Sequence, residues 1–270
     1  MPLKRFWLTI LITLIISFTF SSIYDIIAKD GKILGKFFHS LDHLKNAELE
    51  KNQLIGYMLN LSEIDPELCY LALGSVRNFS MIQQFSRELG YYLKSLGIDF
   101  VVFGNLRTLD QNVENPLDFI GNSPYLVSEL LYRMIRGFET SGVTPVIVVA
   151  SNDDRITTQS LLQKGGSFYS YSNHLKNVDI FFDGDKVFLN SESFYTLPWI
   201  YGEGNMESLI QEIYNNSIIL TGWRVEGENL LYREINYTDK KSVTYFSKSV
   251  EEKAKKVYSG ELLPTGNKNW

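Results

Sequence analysis

The sequence predicts an α/β fold built on a parallel sheet, and three observations predict it. Short apolar runs alternate with amphipathic stretches of roughly fifteen residues, the spacing of βαβ crossovers. The runs are continuously apolar, as strands covered on both faces are. Glycines stand where the helices must stop: Gly97 follows the periodic residues Tyr92, Leu93 and Leu96, and Gly142 follows Ile135 and Phe138.

The chain opens with a segment of different composition, residues 1–35. Lys4 and Arg5 precede an uncharged stretch from Phe6 to Phe20, then come Ser21 and Ser22, and the first acid is Asp25. A basic head, an apolar middle and small residues at the end fit a secretory signal peptide or a membrane anchor, with the basic end in the cytoplasm. The stretch is shorter than the ~20 residues of a spanning helix, which favours cleavage, with Thr19 and Ser21 as the small residues at the site. Extension through Ile23, Tyr24, Ile26 and Ile27 would instead give an uncleaved anchor, with the membrane as a partner, and a buried core helix is the third reading. The first two place the rest of the chain outside the cytoplasm, secreted or membrane-anchored.

Residues 36–60 are expected to be a helical linker or the first helix, because Phe37, Leu41, Leu44, Ala47, Leu54, Met58 and Leu61 fall at helical spacings. Residues 61–270 form the α/β domain. Its expected elements are an apolar run Leu71 to Leu73, a helix Phe79 to Leu96, a strand Phe100 to Phe103, a helix Pro124 to Ser141 and a strand Pro145 to Ala150. Ser123-Pro124 places a capping hydroxyl before a proline at the first helical position. A helix Thr157 to Gln163, a strand Val178 to Phe182, a helix Met206 to Tyr214 and a strand Ser217 to Thr221 follow, while 165–177 reads as irregular. The tail changes character from about Glu226. Leu230 to Ile235 and Ser242 to Phe246 suggest two strands, then a charged helix from Val250 to Tyr258.

Composition removes several function classes. With 270 residues, 44% hydrophobic, 17 Phe, 16 Tyr and 4 Trp, the chain can bury a large core and is not disordered. A net charge of -5 without a long basic run argues against nucleic acid as a partner. The single cysteine, Cys69, excludes an internal disulfide and a cysteine-based zinc cluster. No Gly-x-Ser-x-Gly, phosphate loop or dinucleotide fingerprint occurs, so no cofactor is implied.

From Leu96-Gly97-Ile98-Asp99-Phe100 the motifs fall into an order. A helix from Phe85 runs to Ile98, then come Asn115-Pro116, Phe119-Ile120-Gly121, Ser123-Pro124-Tyr125-Leu126-Val127, and the run from Ile135 through Arg136-Gly137-Phe138 to Gly142-Val143. Over some sixty residues this resembles the N-terminal barrel domain of glycoside hydrolase family 3, which includes bacterial β-N-acetylhexosaminidases and β-glucosidases. Its pattern is A-x-E-L-R-x-L-G-I-N, N-P, S-F-G, D-P-x-L-V and I-x-G-L-Q-x-x-G-V. Upstream, Ile64-Asp65-Pro66-Glu67 resembles its I-D-x-E-G-G and Leu71-Ala72-Leu73-Gly74 its A-L-G. The resemblance implies a (β/α)8 TIM-barrel-like domain, incomplete or modified at its C-terminal end, behind an N-terminal apolar export helix.

The resemblance stops where the chemistry should be. The substrate-binding aspartate falls at Arg107, and the K-H-F-P-G-H-G loop aligns with Val148 to Asp154. The nucleophile, expected after Ile218 to Thr221, falls on Gly222 or Trp223. A retaining glycosidase needs two carboxylates roughly 5 Å apart, and the family motifs supply neither here. Strand ends of a barrel face the site, which nominates Asn105, Arg107, Asn152, Trp223 and Arg224 as ligand-binding positions. Relocated acids could come from Asp65, Glu67, Asp153, Asp154 and Asp183. Ser151 to Asp154 reads more simply as a helix cap, and Asp183-Gly184-Asp185 as a tight turn. His39 and His43, four apart, read as a solvated helix face or half of a metal site without further ligands, so no metal is expected; His174 could replace a missing catalytic histidine. Trp199, Tyr201, Trp223, Phe168, Tyr169 and Tyr171 could stack on sugar rings or simply pack in the core. The function expected is therefore an extracytoplasmic, degenerate family member that binds a carbohydrate, a cell-wall glycan or a protein partner. An active glycosidase and a structural envelope protein are the alternatives.

Overall fold

The structure is a computed structural model that describes residues 23–50, 52–66, 68–76, 78–108, 116–150, 155–216, 223–226 and 229–232. The apolar leader therefore lies outside the described residues. Eight strands close into a barrel in sequence order: β1 (Ile23–Ala28), β2 (Ile33–Phe38), β3 (Leu54–Met58), β4 (Phe100–Asn105), β5 (Thr144–Val148), β6 (Tyr169–Ser172), β7 (Ile180–Asp183) and β8 (Lys186–Leu189). Strands β2 to β7 run parallel to one another. β1 is antiparallel to β2, β8 is antiparallel to β7, and the two reversed strands pair with each other to complete the ring. The fold is thus a closed mixed barrel with helices rather than a uniform (β/α)8 ring: a hairpin stands at each end of the parallel run. We call the end where β2 to β7 finish the upper end and the other the lower end.

Helices α1 (Leu41–Lys45), α2 (Leu61–Ile64), α3 (Tyr70–Gly74), α4 (Phe79–Ser95), α5 (Pro124–Ser141), α6 (Arg155–Gln163) and α7 (Glu207–Asn216) follow the strands. A second, two-stranded sheet joins β9 (Trp223–Glu226) to β10 (Asn229–Tyr232).

Side chains alternate across the barrel wall. Inside, Phe37, Phe100 and Tyr171 lie among Ile26, Val102, Val146, Ile180 and Val187. The Phe37 ring is stacked 6.0 Å from both Phe100 and Tyr171, so the interior is a packed core and not a pore. A Cβ at Gly56 would strike the Phe100 ring, so only glycine leaves room for that stack. Outside, Ile55, Tyr57, Val101, Phe103 and Ile147 meet the apolar stripes of α4 (Met81, Ile82, Phe85, Leu89) and α5 (Leu126, Leu130, Met134, Phe138). Gly97 and Gly142 adopt the left-handed conformation expected after these helices, at φ 85° and 81°. Pro124 stands at the start of α5, but the Ser123 hydroxyl makes no capping bond.

Several sequence expectations are corrected. Residues 36–60 are not one helix: they hold the end of β2, the short α1 and β3. Leu54 and Met58 face the lumen while Ile55, Tyr57 and Leu59 face the helices. A strand apolar on both faces satisfies helical spacing by coincidence. Ile23 to Ile27, read as an extension of an anchor, is β1. Leu71 to Leu73 lies in α3, not in a strand. The irregular 165–177 contains β6, hidden because its outward positions are Ser170 and Ser172. In the tail, β10 pairs with β9; Ser242 to Phe246 and Ser217 to Thr221 lie outside the described residues.

Candidate functional site

At the upper end β2 runs through Phe38 into His39, and Ser40 then caps α1 by accepting from the Asp42 amide at 3.3 Å. The alternation that turns Phe37 into the lumen also turns His39 inward. Its imidazole is enclosed by Tyr24, Phe37 and Phe182, at ring distances of 5.0, 5.2 and 5.5 Å. Tyr24 and Phe182 meet edge-to-face at 4.9 Å. Nε2 of His39 is buried without a hydrogen-bond partner in this structure. Burial holds the imidazole below its usual 6.5, so the ring is neutral near pH 7. The pairing of His39 with His43 on one helix face is corrected: His43 lies within α1, whereas His39 precedes it and belongs to the barrel end.

The loops around this end are tied together. The Glu63 carboxylate accepts from the Tyr57 hydroxyl and the Leu41 amide, both at 2.9 Å, joining β3, α2 and α1. Tyr70 accepts from the Gly104 amide at 2.9 Å, linking α3 to the bulged end of β4. Cys69 caps α3 through the Ala72 amide, and burial pushes its thiol up to about 11, which makes it a structural cysteine rather than a nucleophile.

The sequence-nominated residues divide into three groups. Asn105 ends β4 and its side-chain oxygen accepts from the Arg107 amide at 2.9 Å, so it shapes the turn that carries Arg107; the guanidinium stands 5.9 Å from the Phe119 ring centre. Asp183 is exposed in the β7–β8 hairpin, where its carbonyl accepts from the Asp185 amide and Gly184 takes φ 65°, the tight turn expected from the sequence. Asp65 closes α2, and its carbonyl accepts from the Leu68 amide. His174 is exposed beyond β6, its amide donating to the Ser172 hydroxyl. Trp223 and Arg224 belong to β9, in the two-stranded sheet, and the run Ser217 to Thr221 that they were expected to follow lies outside the described residues. Glu67, Asn152, Asp153 and Asp154 lie outside the described residues. Sequence reasoning missed His39, Tyr24 and Phe182. The two-residue alternation through Phe37-Phe38-His39 was the available signal.

The lower end is built by the segment 190–206 between β8 and α7. Phe194 packs against Phe100 and Tyr169, the first residues of β4 and β6, at 5.4 and 4.5 Å, and so plugs the barrel. Tyr169 donates to the Ser193 carbonyl at 2.8 Å and accepts from the Tyr195 amide at 3.2 Å. Thr144, the first residue of β5, donates to the Tyr195 carbonyl and accepts from the Leu197 amide. The strap then passes over Gly142, where any Cβ would collide with the Pro198 carbonyl. Beyond it the rings turn outward: Trp199 is 70% exposed, Tyr201 86% and Tyr195 60%.

No family model matches the chain, and no curated protein does. Among solved structures the chain is similar to CbsA from Thermotoga neapolitana, at 14% identity and a TM-score of 0.38. The match covers 78% of this chain and 53% of that one, so the chain spans about half the length of that protein.

Proposed function

We propose that the protein is an extracytoplasmic relative of the family 3 glycoside hydrolases that has lost standard catalysis and binds carbohydrate. The observation that carries the reading is the chemistry of the upper end. Where a retaining glycosidase holds two facing acids, His39 sits in a shell of Tyr24, Phe37 and Phe182. Of the nominated acids that lie among the described residues, Asp183 belongs to an exposed hairpin turn and Asp65 to a helix end. Arg107 stands where the family's L-D motif calls for the sugar-binding aspartate. A closed barrel with helices outside is the scaffold such a relative would keep, with the two reversed strands as its modification.

Export is part of the same reading. The described part of β1, Ile23–Ala28, lies beyond Ser21-Ser22, so removing a leader at Thr19 to Ser21 would leave the described residues of every barrel strand in place. N-terminal sequencing of the protein from the cell envelope would identify a cleaved or an anchored form. For the activity, a panel of aryl glycosides is the test. Turnover no greater than in buffer is expected. Turnover that disappears in Asp153→Asn or Asp154→Asn would make the protein a working glycosidase with relocated carboxylates and overturn the reading.

A further inference from the structure

We propose that His39 is the binding residue of a neutral sugar in the upper mouth of the barrel, its Nε2 hydrogen-bonding a sugar hydroxyl while the Tyr24 and Phe182 rings pack on the sugar's apolar face. The inference rests on the carbohydrate-binding reading above and gives it a residue that none of the family motifs supplies.

The first argument is the orphan nitrogen. Nε2 of His39 is buried and has no hydrogen-bond partner among the described residues. An unpaired buried polar atom is costly, and folded chains keep few of them. A phenylalanine would fill the shell of Tyr24, Phe37 and Phe182 without that cost, so packing does not explain a histidine here.

The second argument is place. His39 extends the inward row of β2 beyond Phe37, at the end where barrels of this kind present their ligand-binding side chains. The stack of Phe37 on Tyr171 closes the floor beneath it. Of the three rings around the imidazole, Phe37 is buried while Tyr24 and Phe182 are half-buried, so the approach from solvent lies between the last two. They meet edge-to-face at 4.9 Å, and a turn of either side chain uncovers Nε2.

Chemistry selects the ligand. Burial keeps the imidazole neutral near pH 7, so it offers a hydrogen bond and no charge for a phosphate or carboxylate. The side chains packed in the lumen are all uncharged. Strand alternation turns Asp25 and Lys36 to the outside, where they pair at 2.6 Å, and Asp183 is exposed in its hairpin. A charged group brought to Nε2 would lose its water without gaining a counter-charge. A neutral pyranose brings a hydroxyl for the nitrogen and an apolar face for the rings.

The test is titration of the full-length protein with glucose, N-acetylglucosamine and their β-1,4-linked disaccharides, read by NMR at the imidazole nitrogens. The chain has three histidines, so the His39 signals are those missing from His39→Phe. Expected are a saturable shift of the His39 nitrogens with at least one sugar and none at His43 or His174. His39→Phe should lose roughly tenfold or more in affinity and unfold at a temperature no lower than the wild type. Saturable binding that leaves the His39 nitrogens unmoved, or that His39→Phe retains, overturns the site while carbohydrate binding stands. A crystal of the sugar-bound protein in which only an ordered water meets Nε2 likewise overturns the site. A wild type that binds none of these sugars overturns the carbohydrate reading, and the site with it. Because the wild-type shift is read independently, a His39→Phe variant that fails to fold does not shield the proposal.

Discussion

The two ends of this barrel use aromatic side chains in opposite ways. At the upper end Tyr24, Phe37 and Phe182 turn inward and pack around a half-buried imidazole. At the lower end one phenylalanine, Phe194, plugs the barrel, and Tyr195, Trp199 and Tyr201 turn outward. The lesson is that residue type does not say whether a ring packs or faces water; its direction from the backbone does. That direction follows from strand alternation above and from a hydrogen-bonded strap below.

The contrast depends first on the lumen that separates the ends. Phe37→Ala removes the ring between Phe100 and Tyr171 and should cost about 3–5 kcal/mol, measured by chemical denaturation; a loss within 1 kcal/mol, roughly, would mean that the stack does not organise the barrel. Next is Gly142→Ala, which forces a Cβ onto the Pro198 carbonyl at φ 81°. About 2 kcal/mol of destabilisation is expected, with faster hydrogen exchange in 195–202. Thr144→Val deletes both side-chain bonds to the strap and should cost about 1 kcal/mol. Its exchange signature should be confined to the lower end, leaving amides near His39 protected.

The upper end has its own signature in pH. Burial lowers the folded pKa of His39 below 6.5, so between those values the unfolded chain binds the proton more readily. Stability should therefore fall as pH drops through 6.5 and below, and rise to a plateau above it. His39→Phe should flatten that part of the profile; an unchanged slope would place the titration elsewhere. Smallest is the effect of Trp199→Ala and Tyr201→Ala on stability, expected within about 0.5 kcal/mol because the rings are exposed. A larger loss would make them packing residues and erase the difference between the ends.

Much of the helical frame was legible without coordinates. The periodic stripes of α4 and α5, the left-handed glycines after them and the strands at Phe100 and Thr144 agree with the sequence reading, because each is set by neighbours three or four residues away or by a short apolar run. β3 was obscured because Leu54 to Met58 is apolar on both faces, and such a run matches helical spacing as well as it matches alternation; Ile23 to Ile27 and Phe37 were obscured because they extend apolar runs read as an anchor and a helix. β6 was obscured for the opposite reason, its serines breaking the apolar run. Of the site, the sequence nominated Asp183 as a turn and Trp199 and Tyr201 as possible ring contacts, but it could not separate rings that pack from rings that face water.

What the amino-acid sequence determined by itself was local: the helices and their stops, the hairpin turn at Gly184, and the order of Lys4 and Arg5 before an uncharged stretch. Only the tertiary structure decided that β1 and β8 reverse and pair to close the ring, that His39 belongs to a barrel end rather than a helix face, and that Trp199 and Tyr201 stand on the opposite end. The reason is range. Capping and periodicity act within a few residues, whereas strand direction and side-chain exposure are settled by partners more than a hundred residues away, such as Lys186 opposite Asp25 and Phe182 against Tyr24.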